Sequence, residues 1–248
     1  MAQPTCKICG AACARFGITD SNRTCEDARN GRLFPIAEPV TYWRCSDCGL
    51  VFTPDFDAWS ATDFASRIYN DDYVRADPDV TGRRPSSQAQ LVRRYFGPVA
   101  DRVRLLDYGG GSGLLARDLR QRGFADAETY DPFVAEHSRR PERRFNVITC
   151  FETLEHVPEP RATARDMAEL LDDPGLVFFS TLLQPPGATM EWWYVAPRNG
   201  HITLFSLDAL KRLWADVGLR CVSFDQNYHA AFRTLPAFAE KLVALARA

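Results

Sequence analysis

The stretch RLLDYGGGSG, from Arg104 to Gly113, decides the fold that this sequence predicts. Its apolar residues Leu105 and Leu106 indicate a short buried strand. Glycines then stand at positions 109, 110, 111 and 113, and the helical run LLARDLRQRGF follows at once. Because glycine has no Cβ atom, such a turn lets the backbone approach a ligand closely, and the next helix points its N-terminus at that ligand. The stretch therefore predicts a strand, a ligand-binding turn and a helix.

Dinucleotide sites and S-adenosylmethionine sites are both built in this way, and Gly111-x-Gly113-x-x-Ala116 fits the loose dinucleotide pattern. Asp107 separates the two classes. Its carboxylate would repel a pyrophosphate, whereas it suits the ammonium group of a methionine moiety. The spacing of Asp107, Gly109, Gly111 and Gly113 resembles motif I of class I S-adenosylmethionine-dependent methyltransferases. This resemblance implies an α/β, Rossmann-like sheet that binds S-adenosylmethionine through these four residues.

The composition is that of an ordinary globular protein. Of the 248 residues, 46% are hydrophobic and 25% are charged, and the formal net charge is -2. This balance does not favour nucleic acid or an anionic membrane as a partner. The first residues, MAQPTCKICG, show no basic region followed by an apolar run, so we expect no signal peptide. We expect a cytoplasmic protein whose cysteines are thiols or metal ligands rather than disulfides.

Residues 1–50 predict a small zinc-binding domain, because the motif C-x-x-C-G occurs there twice. The four cysteines of the two motifs are Cys6, Cys9, Cys45 and Cys48. Two thiolates at positions i and i+3 can bind one ion from one turn, and two such turns complete a closed, structural Zn²⁺ site. Cys13 and Cys25 compete as ligands but lack a C-x-x-C partner, and four free thiols remain the alternative. The roles of Cys150 and Cys221 stay unassigned.

Residues 51–101 predict a helical linker or lid. Helices are expected from Ser60 to about Ile68 and from Ser87 to Phe96. The segment between them is too polar for a core and too aromatic for a plain linker. In the enzyme class that the chain resembles, such segments commonly cover the cofactor. Tyr69 and Tyr73 are therefore lid candidates, with Tyr73 assigned to cofactor binding, although both could instead pack the domains together.

Residues 102–248 alternate between strands and helices, which predicts a mostly parallel sheet. Strands are expected at 104–108, 128–130, 147–151, 175–183, 219–224 and 228–233, and helices at 114–122, from about 161 and after the N-cap Ser206. Asp131 ends the second of these strands, where an acidic residue can accept both ribose hydroxyls, and Phe133 is placed to lie against adenine. The stretch between Phe133 and the next strand is short, and its middle, HSRRPERR, is polar. A full helix and another strand hardly fit there, so we expect the sheet to be truncated near its third strand.

The segment NVITCFETLEHVPEP, residues 146–160, carries a second motif. It resembles the E-x-x-E-H-V-x-x-P signature after the fourth strand of many small-molecule methyltransferases. The resemblance implies that Phe151 and Glu152 border the methionine part of the cofactor. It also implies that His156 faces the transferred methyl group, although a purely structural histidine is equally compatible with the pattern.

The segment GHITLFS, residues 200–206, resembles the E-H-x-x-x-F-S segment of zinc-containing deoxysugar C-methyltransferases, which also carry an N-terminal four-cysteine domain. This chain departs from that family, because Gly200 replaces the usual glutamate and Arg198 replaces the expected tyrosine. We also expect the family's large C-terminal domain to be absent. His201 is our first candidate for a general base and His156 our second.

These features favour methyl transfer to a small molecule, such as a sugar or a sugar-containing intermediate. An RNA methyltransferase that docks through the zinc domain is the first alternative, but residues 1–50 carry six Lys or Arg against five Asp or Glu. The second alternative is a non-catalytic, cofactor-binding interaction protein. The aromatic segment Trp192–Tyr194 predicts either a pocket wall or core packing, and the C-terminal residues predict a short helix suited to packing or to a homodimer contact.

Overall fold

The computed structural model describes residues 3–80 and 82–244. The strands are β1 (Cys13–Asp20), β2 (Pro39–Cys45), β3 (Val51–Phe52), β4 (Arg104–Tyr108), β5 (Asp126–Tyr130), β6 (Phe145–Phe151), β7 (Leu171–Ser180), β8 (Thr203–Leu204), β9 (Arg220–Ser223) and β10 (Tyr228–Phe232). The helices are α1 (Asp27–Asn30), α2 (Ala61–Arg67), α3 (Tyr73–Ala76), α4 (Arg83–Phe96), α5 (Leu114–Gln121), α6 (Pro160–Leu170), α7 (Leu207–Asp216) and α8 (Glu240–Ala244). None of the helices in the described part of the chain combines the length and hydrophobicity that a membrane span requires.

The chain forms two compact units, and neither is continuous in sequence. The first unit is drawn from Met1–Asp79, Leu154–Arg161 and Leu182–Leu213. The second is drawn from Val80–Thr153, Ala162–Thr181 and Trp214–Ala248. This division differs from the three consecutive domains expected from the sequence, because two segments from the second half of the chain join the N-terminal unit.

The first unit is built on a four-stranded antiparallel sheet in the order β1-β2-β3-β8. The hairpin of β1 and β2 fills the gap between the two C-x-x-C-G motifs and places Cys13 opposite Cys45. The strand β8 closes the sheet from far along the chain. The core of this unit contains the fully buried side chains of Tyr42, Leu50, Phe52 and Phe205. The sheet of this unit is therefore held together by strand pairing and apolar packing between segments that are distant in sequence.

The second unit contains the predicted Rossmann-like sheet, in the order β5-β4-β6-β7-β10-β9. The strands β5, β4, β6 and β7 run parallel, and β10 pairs antiparallel with both β7 and β9. The α/β fold class and the antiparallel final pair are therefore confirmed. Because β4 lies between β5 and β6, its glycine turn stands at the carboxyl ends of neighbouring parallel strands, where open α/β sheets bind their ligands.

Helix boundaries follow the predictions, with one instructive difference. The capping box of Ser60 and Asp63 begins α2, and the Ser206 hydroxyl caps α7 by accepting the Ala209 N–H at 3.0 Å. By contrast, α4 begins at Arg83 rather than Ser87. Pro85 is tolerated there because the N–H groups of a helix's first turn have no partner within the helix. The C-terminal helix α8 is confirmed as far as Ala244, and residues 245–248 lie outside the described range.

The predicted truncation of the sheet is confirmed at β5, which is an edge strand. Between β5 and β6 the chain forms only the short 3₁₀ helix Ala135–His137. Arg143 from this loop donates to Asp126 at 2.8 Å and also contacts Glu128, so it pairs with two carboxylates of the edge strand. Its guanidinium further lies 4.7 Å from the centroid of the Phe145 ring. Charged side chains at such an edge oppose pairing with another strand.

We predict that Arg143→Ala lowers the free energy of unfolding by about 1 kcal/mol, because the pairs are half-exposed and solvent screens them. Urea denaturation at low and high salt measures the loss, which should shrink at high salt. Arg139→Ala is the matched control, since Arg139 is 90% exposed and pairs only with the exposed Glu142 among its described salt bridges. Equal losses for both variants would contradict a specific role of Arg143 at the edge.

Candidate functional site

A cavity of about 340 Å³ lies in the second unit beside the glycine turn. Its walls come from the start of α4, the turn after β4 and the end of β6. The lining residues are Val80, Arg84, Pro85, Gln88, Asp107, Gly109, Gly110, Gly111, Ser112, Leu114, Leu115, Phe151 and Glu152. Five of the residues predicted to bind cofactor therefore share one cavity, namely Asp107, Gly109, Gly111, Phe151 and Glu152.

The turn after β4 requires glycine for two separate reasons. Gly109 has a φ of 72°, a left-handed conformation that other residues rarely adopt. A Cβ atom at Gly109 would also lie 2.5 Å from the Thr153 side chain. The φ values of Gly111 and Gly113 are positive as well, at 55° and 72°. The predicted Gly-x-Gly-x-Gly spacing thus reflects a backbone conformation that lets the turn approach a ligand.

Asp107 is a buried carboxyl group near the end of β4, an inner strand of the sheet, with only 3% of its surface exposed. Burial raises the pKa of Asp107 to about 7, the charge of Asp131 adds to this effect, and a hydrogen bond from Thr149 opposes it. The Thr149 hydroxyl donates to the Asp107 carboxylate at 2.9 Å. Such a carboxylate gains most from a cationic ligand, because the positive charge replaces the water that burial removed.

Glu152 is held in an unusual backbone conformation at the end of β6. Its φ of 49° makes it the one residue other than glycine with a positive φ in the described part of the chain. The Ser180 hydroxyl donates to the Glu152 carboxylate at 2.6 Å, and the Glu152 N–H donates back to the same hydroxyl at 3.0 Å. Strained residues of this kind concentrate at ligand sites. The contacts fix a second carboxylate on the wall of the cavity.

The other predicted cofactor residues lie outside the cavity wall. The Asp131 carboxylate accepts the N–H groups of Gly111 and Phe133, each at 2.9 Å, and so ties β5 to the glycine turn. Phe133 is 45% exposed. Gly113 precedes α5 as its N-cap. The roles of Asp131 toward ribose and of Phe133 toward adenine stay predictions.

Tyr73 belongs to the first unit. Its hydroxyl donates to the Asn199 carbonyl at 3.2 Å, and its ring packs edge-on against Tyr69 at 5.1 Å between ring centroids. Its assignment to cofactor binding also stays a prediction.

Arg84 and Gln88 of α4 also line the cavity, and the sequence does not predict these two polar side chains as site residues. Arg84 lies outside the helix that the sequence predicts, which begins at Ser87. Gln88 offered a usable signal, because it is a polar residue on the same helix face as Val92 and is itself only 9% exposed. Polar groups within an otherwise apolar helical stripe generally serve a partner or a ligand.

The four predicted metal ligands of the first unit come together. Their sulfur atoms, two from each C-x-x-C-G motif, all lie within 4.8 Å of one another. The Cys6 and Cys48 sulfurs are 3.5 Å apart, and those of Cys9 and Cys45 are 3.4 Å apart. Sulfurs bound to one tetrahedral Zn²⁺ are about 3.8 Å apart, so the cluster fits such an ion with little movement. Cys13 lies outside this cluster, and its thiol donates to the Ala11 carbonyl at 3.7 Å.

Both predicted catalytic histidines belong to a second cluster in the first unit. Donor atoms of Glu155, His156 and His201 lie within 4.8 Å of one another. The rings of His156 and His201 meet edge-on with 5.0 Å between centroids. The fully buried Glu155 carboxylate accepts a hydrogen bond from the Tyr194 hydroxyl at 2.6 Å. The Tyr194 carbonyl lies 3.0 Å from Nδ1 of His201, so this one residue orients both the carboxylate and the imidazole.

Gly200 explains one departure from the sequence pattern. Its φ is 90°, and a Cβ atom there would lie 2.8 Å from Nδ1 of His156 and 3.1 Å from the Tyr69 hydroxyl. A glutamate at position 200 would therefore displace His156. The carboxylate of the cluster belongs to Glu155, the second glutamate of the E-x-x-E-H-V-x-x-P pattern, which was not predicted as a site residue.

We predict that Asp107→Asn stabilises the ligand-free protein at pH 8. The pKa of Asp107 is raised on folding, so its contribution to stability is present below pH 4 and is lost as the pH rises to about 7. Asparagine avoids this loss, and the gain should be of the order of 1–4 kcal/mol at pH 8 and smaller at pH 5. Urea denaturation at the two pH values measures it.

Thr149→Val provides the matched control. It removes the donor that stabilises the ionised carboxylate, so its destabilisation should be larger at pH 8 than at pH 5. An equal gain from Asp107→Asn at both pH values would contradict a raised pKa of Asp107.

Comparison with known proteins gives matches to methyltransferases. Residues 80–224 match the family model described as a methyltransferase domain. The ubiquinone biosynthesis O-methyltransferase of Neisseria meningitidis serogroup A is 34% identical over 110 residues, covering 34% of this chain and 45% of that protein. That of Salmonella paratyphi A is 30% identical over 102 residues, covering 32% of this chain and 42% of that protein. The chain thus spans less than half the length of these curated relatives.

Solved structures of methyltransferases are also similar to this chain. The sugar N-methyltransferase from Streptoalloteichus sp ATCC 53650 shares 15% sequence identity and a TM-score of 0.48, over 62% of this chain and 90% of that one. Magnesium protoporphyrin IX methyltransferase from Synechocystis PCC 6803 shares 17% identity and a TM-score of 0.44, over 73% of this chain and 98% of that one. The family match spans more than half of the residues of this chain, and it contains the glycine turn and most of the parallel sheet described above. The chain therefore belongs to the methyltransferase-domain family, with the fold of the class I, S-adenosylmethionine-dependent enzymes.

Proposed function

We propose that this chain transfers the methyl group of S-adenosylmethionine to a hydroxyl group of a small molecule. The small molecule is a sugar or a sugar-containing intermediate. The observation that supports the cofactor most strongly is the cavity beside the glycine turn. Two carboxylates line this cavity together with glycines, whose backbone a ligand can approach closely. The O-methyltransferase names of the matched relatives favour a hydroxyl acceptor. A sugar is proposed as the acceptor because residues 200–206 resemble a segment of deoxysugar methyltransferases.

The cavity residues fit the cofactor chemically. Asp107 and Glu152 suit the positive charges of the ammonium and sulfonium groups, and the turn at Gly109 and Gly111 leaves room for the ligand. Arg84 offers a guanidinium for the carboxylate of the methionine moiety. When bound, the cofactor supplies a methyl group that its sulfonium already makes electrophilic. The protein then has to orient the acceptor, exclude water and accept a proton.

His201 is the proposed proton acceptor. Because its Nδ1 faces the Tyr194 carbonyl at 3.0 Å, the N–H belongs on Nδ1 and the lone pair on Nε2. The buried Glu155 carboxylate in the same cluster stabilises the imidazolium that forms. His156 is the second candidate, since its Nε2 lies 3.9 Å from Glu155. A positioned base of this kind contributes about 10²- to 10⁴-fold to the rate.

The proposal includes a structural Zn²⁺ bound by Cys6, Cys9, Cys45 and Cys48. The spacing of their sulfurs supports it, as do the N–H groups of Asp47 and Cys48, each 3.4 Å from the Cys45 sulfur. Four thiolates leave no open position on the ion, so its contribution is to folding rather than to chemistry.

Isotopically labelled S-adenosylmethionine tests the proposed function. The purified protein is mixed with a cell extract that is separated into small-molecule, RNA and protein fractions. We expect the label in the small molecules. Label in RNA would replace the proposal with an RNA methyltransferase, and cofactor binding without any transfer would favour the non-catalytic interpretation.

We predict that His201→Ala lowers kcat by roughly tenfold or more while the Kd for S-adenosylhomocysteine stays unchanged. Single-turnover kinetics and calorimetry measure the two quantities. His156→Ala is the comparison variant, and a larger loss there than at His201 would transfer the role of base to His156. An unchanged kcat for both variants would overturn the use of a histidine base.

We predict one Zn²⁺ per chain at the cysteine cluster, measured by elemental analysis of protein purified without added metal. Cys45→Ser should abolish binding there and destabilise the first unit, because metal binding at such sites contributes to folding. Cys13→Ser is the matched control, since Cys13 is a buried neighbour outside the cluster. Loss of zinc from Cys13→Ser instead would show that the ligand set is wrong.

A further inference from the structure

The Glu155 carboxylate lies in a buried cluster of groups that can bind a metal ion. It has no exposed surface. The Tyr194 hydroxyl donates to it at 2.6 Å. The imidazoles of His156 and His201 each place a nitrogen within 4.8 Å of it. Two imidazoles and one carboxylate are also the donor set that binds divalent transition-metal ions.

The supporting contacts match those of metal sites. Ligating histidines donate their second ring N–H to a carbonyl, and ligating carboxylates accept further hydrogen bonds. Here the Tyr194 carbonyl lies beside Nδ1 of His201, and the Tyr194 hydroxyl donates to Glu155. The two segments are also tied together by their backbones, because the Ile202 N–H donates to the Glu155 carbonyl at 2.9 Å.

The distances suit an ion after a small adjustment. Three donors bonded at about 2.1 Å to one tetrahedral ion lie about 3.4 Å from one another. Nε2 of His156 lies 3.9 Å from the Glu155 carboxylate, and the whole set lies within 4.8 Å. Side-chain movements of roughly 1 Å toward the ion therefore complete the site.

We propose that Glu155, His156 and His201 form a second metal site, which binds a divalent transition-metal ion such as Zn²⁺ or Co²⁺. The site is distinct from the four-cysteine cluster and uses nitrogen and oxygen donors alone. Its relation to catalysis rests on the proposed function: the lone pair on Nε2 of His201 takes either a proton or the ion. Occupancy by the ion therefore inhibits methyl transfer.

Cobalt titration tests the site directly in protein loaded with one equivalent of Zn²⁺, which occupies the four-cysteine cluster and leaves the second site open; this sample is the zinc-loaded protein. We expect one Co²⁺ per chain, with the visible d–d absorption of nitrogen and oxygen ligands and without the charge-transfer band of thiolates. Glu155→Gln and His201→Gln should each weaken Co²⁺ binding by at least tenfold. Tyr194→Phe, which keeps the ring and the carbonyl, should weaken it by about 10- to 100-fold, as for other residues that orient metal ligands.

Two variants provide matched controls. Cys25→Ser changes the thiol 3.6 Å from Nδ1 of His201, the ring nitrogen that the proposed site does not use. His137→Gln removes a histidine that belongs to the second unit. Both should bind Co²⁺ as the unaltered protein does. Thermal melts of every variant confirm folding before binding is compared.

Absence of Co²⁺ binding in the folded, zinc-loaded protein would overturn the site, and so would equal binding by the double variant Glu155→Gln/His201→Gln. The same samples separate this inference from the proposed function. Binding with loss of methyl transfer, reversed by a chelator that leaves the cysteine site loaded, supports both. Binding with increased methyl transfer keeps the site and overturns His201 as the base.

Discussion

The burial of a carboxylate at the centre of a parallel sheet is the constraint on which the second unit depends. Asp107 lies one residue before the end of β4, between two neighbouring strands, and burial raises its pKa to about 7 by disfavouring its charge. A folded chain tolerates this only if something offsets the cost, and Thr149 does so in part. A cationic ligand offsets more. Without such a ligand, ionisation of Asp107 would lower the stability of the unit, a cost that is common at binding sites.

The first unit contains a second buried carboxylate that is handled differently. Glu155 lies beside two imidazoles rather than beside an open turn, and Tyr194 holds both the carboxylate and one imidazole in place. A rigid set of donors with a lone pair directed inward serves a proton acceptor and a metal site equally well. Under the two proposals, Nε2 of His201 takes either a proton or the ion, so the same nitrogen would serve one role at the expense of the other.

The parts of the fold that the sequence predicts well are those determined locally. The strand β4 has the bounds that the sequence predicts, because two buried leucines precede a run of glycines that only a turn accommodates. The truncated edge followed from chain length alone, since the stretch between Phe133 and β6 is too short for both a helix and a strand. The four-cysteine cluster followed from a repeated motif. In each case residues close together in the sequence are sufficient to predict the structural feature.

The parts that escaped prediction are determined by contacts between distant segments. The strands β3 and β8 are too short for any periodicity, and they pair although β4 to β7 lie between them in the sequence. The role of Glu155 was hidden for the same reason, because a glutamate beside a histidine in sequence does not reveal the tyrosine that orients it. Gly200 is the informative case. A side chain at this position would meet His156, and a carboxylate is nevertheless present in the same cluster, on Glu155. A missing residue in a motif is evidence of lost chemistry only when no other segment can place the same group there.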